Sequence, residues 1–86
     1  MRIEYVSPPG KGRYVIVRRL DSSHFVLSKG SRLGGFPIAT TFTQPRTLKP
    51  DGQHDYDVFT FTLLSNTALA GLRIGDEVAL ENIDTL

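Results

Sequence analysis

The sequence has no cysteine and no tryptophan, one methionine and only two histidines in 86 residues. The lack of cysteine excludes disulfide support and every thiolate metal site. No segment approaches the ~20 consecutive apolar residues of a membrane span, and the first residues show no apolar run of signal-peptide length. The expectation is one cytoplasmic, soluble domain over residues 1–86. A chain of this size buries only roughly 60% of its unfolded surface, so its core is small and self-association is the natural extra support. There is no low-complexity tract, no internal repeat and no linker.

The two histidines limit the catalytic possibilities. A hydrolase needs a nucleophile, a base within hydrogen-bond reach and a group that orients the base. Ser22 and Ser23 beside His24 read more simply as turn residues. His54, Asp55 and Asp57 are close in sequence, but on a strand Asp55 and Asp57 share a face while His54 points away, and further oxygen ligands are missing. Gly10-Lys11-Gly12-Arg13 has neither the spacing of a nucleotide phosphate loop nor a following helix. Neither catalytic residues nor a metal, cofactor or small-molecule substrate is expected.

What the sequence does contain is a charge division. The total is +1, yet residues 1–50 carry nine Lys/Arg against two acids, a net +7, and residues 51–86 carry one arginine against seven acids, a net −6. A single-sign surface attracts an oppositely charged partner even when the total is near zero. The competing reading is that basic and acidic strands pair and neutralise one another within one sheet.

The apolar residues alternate with period two, which indicates strands. Arg2 to Val6 reads as a first strand, ended by Ser7-Pro8-Pro9-Gly10. Arg13 to Leu20 is a second, with apolar residues and arginines on both faces. His24 to Lys29 is a third, expected to form a hairpin with the second through Asp21-Ser22-Ser23. Lys29 to Gly35 reads as a mobile, basic, glycine-rich loop. Phe36 to Gln44 and Asp55 to Leu64 alternate most clearly. Lys49-Pro50-Asp51-Gly52 between them carries the proline and glycine of a tight turn, so they are expected to form one long hairpin. Ser65 or Asn66 caps a single helical turn that Gly71 stops, and Glu77 to Ile83 is the last strand.

About six short strands in meander order with one helical turn before the last predict an all-β single-domain barrel, SH3-like in preference to OB-like. The phrase Gly71-Leu72, Gly75-Asp76, Val78 suits such a barrel and points to no one family. Two glycine loops bearing cations flank strands that carry arginine and aromatic rings. That composition suits phosphate contacts and base stacking. The functional expectation is a non-enzymatic module that binds single-stranded nucleic acid with low sequence preference. Lys11, Arg13, Arg18, Arg19, Lys29 and Arg32 would meet phosphates, and Tyr14 or Phe25 would stack on bases; Tyr5 and Tyr56 are the better candidates for exposed rings. The alternative is a protein-interaction or assembly module that self-associates or adds to a partner's sheet.

Overall fold

Val15 and Val17 alternate with Tyr14, Ile16 and Arg18, and this period of two sets the inner and outer faces of the sheet: both valines are fully buried, and the other three are half-buried on the outer side. A computed structural model describes residues 1–8, 10, 12–21, 25–45, 48–64 and 70–85, the last two by their backbone. Among the described residues there are eight strands: β1 (Arg2–Val6), β2 (Tyr14–Arg18), β3 (Phe25–Val26), β4 (Arg32–Leu33), β5 (Phe36–Thr43), β6 (Val58–Leu63), β7 (Leu80–Glu81) and β8 (Asp84–Thr85). Six form one antiparallel sheet in the order β1-β2-β6-β5-β4-β7, and β3 pairs with β8. The chain is all-β, a curled half-barrel. Residues 75–78 lace its two ends together: Ile3 N–H donates to Asp76 O at 2.8 Å, Gly75 N–H to Ile3 O at 2.7 Å and Val78 N–H to Met1 O at 2.7 Å. The same segment continues into β7 at the far end of the sheet.

The strongest period-two signal proves decisive for topology. Phe59, Phe61 and Leu63 of β6 point inward with exposures of 5%, 0% and 0%, and β6 takes the second edge of β2 along its whole length. The expected β2–β3 hairpin and the meander order are therefore corrected: β1 and β6 occupy both edges of β2, and β3 is left to pair with β8. Ser22, Ser23 and His24, which that hairpin needed, lie outside the described residues, as do residues 65–69 of the expected helical turn.

The β5–β6 hairpin forms as expected. Its tip is closed by Gly52 N–H donating to Lys49 O at 2.9 Å and Lys49 N–H to Gln53 O at 2.7 Å. Gly52 sits at φ +86°, where a side chain would be strained. The expected basic loop at residues 29–35 is instead built into the sheet. Ser31 is fully buried, its hydroxyl accepting from Ser28 N–H at 2.9 Å and donating to Asn82 O at 2.8 Å, and β4 follows it directly. Gly34 and Gly35, both at positive φ, make the two-residue turn into β5. Of the expected final strand, Glu77 to Ile83, only Leu80–Glu81 forms a strand, β7; Asn82, at φ 54°, ends it, and β8 begins at Asp84, beyond the expected bounds.

Inside the curl, Ile3, Val15, Val17, Leu33, Ile38, Phe61 and Leu63 are essentially solvent-free and form the centre of the core. Among the described residues no helix is long and apolar enough to cross a membrane.

Candidate binding surfaces

The outer face is reset by a bulge in β1. Ile3 pairs with Val17 and Tyr5 with Ile16, so Glu4 is the extra residue. Simple alternation would turn Tyr5 inward with Ile3. The bulge turns Tyr5 outward and leaves Glu4 on the same side as Arg18.

Arg18 uses that position. Its Nε lies 2.6 Å from Glu4 Oε1 and its Nη1 2.8 Å from Asp55 Oδ2. The hydrogen bond from Arg18 holds the Asp55 carboxyl below its ordinary range, helped by the Asp57 N–H and opposed by burial. Reciprocally, the hydrogen bonds to Glu4 and then Asp55 raise the Arg18 guanidinium above its ordinary value. Arg19 donates through Nη2 and Nε to Asp57 Oδ1 at 2.8 and 3.1 Å, and its guanidinium carbon stands 5.5 Å from the Phe59 ring centroid. Asp55 and Asp57 thus each take an arginine from the basic half of the sequence. The two central cations of the expected phosphate-binding surface are paired within the chain.

The remaining cations lie elsewhere. Arg13 is exposed at the β1–β2 end, with one long contact of 3.5 Å from Nη1 to Leu64 O. Beside it Tyr14 packs its ring 5.8 Å from that of Tyr5, and the hydrogen bond with Tyr5 raises the Tyr14 hydroxyl above its ordinary value. Lys29 is exposed before β4, and Arg32 donates to Gly35 O at 2.9 Å within the β4–β5 hairpin. Lys11 lies outside the described residues.

Phe25 belongs to a different feature. Its ring lies 5.3 Å from Phe42, 5.1 Å from Phe59 and 6.0 Å from Phe61, so β3 lays an aromatic side chain across the inner ends of β5 and β6. Above this cluster is a groove of about 270 Å³ lined by Arg19, Phe25, Phe42, Gln44, Tyr56 and Phe59. Tyr56 is 65% exposed and Phe42 37%. Gln44 Nε2 donates to Tyr56 O at 2.8 Å, bracing the rim between the two strands of the hairpin. The volume falls just below the ~300–1,000 Å³ typical of small-molecule pockets and suits one large side chain or one base. Sequence reasoning names Arg19, Phe25 and Tyr56 for a binding or exposed role; it gives Phe59 only a place in a strand, and it does not propose Phe42 or Gln44 for a site. The signal for those two was the lack of charge from Leu33 to Pro45.

The groove is continuous with a strand edge. Beyond its two pairs with β4 at Phe36 and Pro37, β5 runs on to Thr43, and among the described residues no strand pairs with its outer edge from Ala39 to Thr43. On the β6 side the register jumps between Ile38 and Phe42, so Ala39, Thr40 and Thr41 stand against the single residue Thr62. Residues 40–44 are all exposed. Comparison with known protein families, with curated proteins and with solved structures finds no match to this chain.

Proposed function

We propose that this chain is a non-enzymatic protein-interaction module that binds an extended polypeptide segment. The segment adds to the open edge of β5 and places one apolar side chain in the adjoining aromatic groove. The observation that carries this reading is the uncharged edge from Ala39 to Thr43, unpaired among the described residues, running directly into the Phe42 wall of the groove. Main-chain hydrogen bonds supply affinity in strand addition, and pockets for alternate side chains supply selectivity. The internal pairing of Arg18 and Arg19 favours it over phosphate recognition across β2. The strand order departs from the meander behind the SH3-like expectation, so the proposal is tied to the groove and the edge and to no named type of barrel.

A second reading, single-stranded nucleic acid at the β1–β2 end, is favoured by the Tyr5–Tyr14 ring pair beside exposed Arg13. Stacking there would contribute ~1–3 kcal/mol per base. NMR mapping of amide shifts separates the two. The probes are threonine–valine peptides bearing a single leucine or tryptophan, and an oligothymidylate. Shifts confined to residues 39–44 and the groove on adding peptide support strand addition. Shifts at Tyr5, Arg13 and Tyr14 on adding the oligonucleotide, with no response to any peptide, overturn it in favour of the second reading.

A further inference from the structure

We propose that the segment added to β5 is the β5 strand of a second copy of this chain, paired antiparallel about a two-fold axis through Thr41. The proposal rests on the strand-addition reading above and names its partner.

Native edge strands are guarded by lysine, by proline or by inward charge, because an open row of backbone donors and acceptors templates pairing. From Leu33 to Pro45 there is no charged residue, and the prolines at 37 and 45 bound the open stretch without interrupting it. The three-against-one bulge leaves Ala39, Thr40 and Thr41 without a regular ladder on the β6 side as well. Their backbone groups gain the most from a new neighbour.

The edge is also self-complementary. With Thr41 opposite Thr41 of the second copy, Thr40 faces Phe42 and Ala39 faces Thr43. Threonine–threonine and aromatic–β-branched pairs are among the favourable cross-strand combinations. No like charges oppose one another, which is the usual penalty when a strand meets its own copy. Thr40 and Phe42 share a face by the period of two, so the two Phe42 rings become diagonal neighbours within aromatic reach. The Phe42 ring, 37% exposed in one chain, then closes over the groove mouth. An isologous contact of this kind closes on itself and stops at a dimer.

The charge division offers another route to assembly, basic half against acidic half. However, Arg18 and Arg19 are consumed by Glu4, Asp55 and Asp57 within one chain. Pairing through β5 involves no ion and should be indifferent to salt. Five paired residues and two rings cover less than the ~1,600 Å² of a standard interface, so a weak, concentration-dependent dimer is expected.

Sedimentation equilibrium of the full chain at low and high salt tests this, alongside Thr41→Lys, Thr41→Glu and their equimolar mixture. Thr41 is exposed, and circular dichroism checks that each variant keeps the fold. The expected result is a wild-type dimer unchanged by salt, each variant alone monomeric because like charges meet on the axis, and the dimer restored in the low-salt mixture. A Thr41→Lys variant that dimerises like the wild type, or a wild-type dimer dissolved by salt, overturns the proposal. A wild type that stays monomeric at millimolar concentration while the threonine–valine peptides still shift residues 39–44 overturns self-pairing and leaves strand addition standing. If neither association nor peptide binding is seen, both fail.

Discussion

Arg18 Nη1 lies 2.8 Å from Asp55 Oδ2, and through its Nε the same guanidinium holds Glu4 at 2.6 Å. One side chain on β2 thereby ties the bulge of β1 to the approach of β6, its two neighbours in the sheet. Asp55 is nearly buried, at 7% exposure, so a protonated Asp55 would leave Arg18 facing a neutral group in a confined site.

This pairing makes stability depend on acid in a defined direction. The Asp55 carboxyl is held below its ordinary value in the folded chain, chiefly by the hydrogen bond from Arg18. The unfolded chain therefore takes up the proton first as pH falls, and the contribution is complete above the ordinary carboxylate range of about 4 and lost on descending to the lower folded value. Urea midpoints should be level near neutrality and decline through that window. In Asp55→Asn the neutral midpoint should drop and the decline become shallower. An unchanged acid slope in that variant would show that other carboxylates govern it.

Gly71 is constrained by packing: a Cβ there would run into the ring of Phe36, at the start of β5. Gly71→Ala should lower stability by ~1–3 kcal/mol, as overpacking does. Adding Phe36→Leu should return part of the loss, giving a coupling of about 0.5–3 kcal/mol in thermal unfolding of the double-mutant cycle. Additive losses would mean that the ring moves aside without cost.

The long hairpin was legible in the sequence because Phe59, Phe61 and Leu63 alternate with Thr60 and Thr62, and Pro50 and Gly52 supply the turn chemistry. The partner of β2 was not, because the period of two fixes which face of a strand is buried and says nothing about which strand adjoins it. Composition alone makes residues 29–35 read as a mobile loop, because the acceptor that helps to hold buried Ser31 in place, Asn82 O, lies 51 positions away in the chain. The charge division was visible, and its meaning turned on the pairing of β2 with β6, which brings Asp55 and Asp57 to Arg18 and Arg19. The groove was half visible, since Arg19, Phe25 and Tyr56 stand out in isolation, while Phe42 and Gln44 join them only once β5 has paired with β6.

Charge reversals distinguish the free cation from the paired one. Arg13→Glu should leave the thermal midpoint nearly unchanged, because its one contact, to Leu64 O, is long at 3.5 Å. Arg19→Glu should lower the midpoint by several degrees, since it sets two carboxylates against each other over Phe59. If oligothymidylate binds at the β1–β2 end, Arg13→Glu should also reduce the slope of log affinity against log salt by about one. Equal effects of the two reversals on stability would contradict the assigned pairing.

The absence of tryptophan gives the groove a direct reporter. Tyr56 is 65% exposed on the rim, and its backbone carbonyl, not its ring, receives the bond from Gln44. Tyr56→Trp therefore keeps that brace and adds a single indole beside Phe42 and Phe59. In dilute solution its emission should resemble exposed tryptophan. When a leucine-bearing threonine–valine peptide is added, or the protein is concentrated until β5 pairs with its copy, the indole should lose water contact, and its emission should shift to shorter wavelength with a saturating dependence. Combining Tyr56→Trp with Thr41→Lys separates the two processes, because the lysine opposes self-pairing while an uncharged peptide is still accepted. A blue shift with concentration that survives Thr41→Lys would place the self-contact away from β5, and an indole that responds to neither peptide nor concentration would remove the groove from the binding surface.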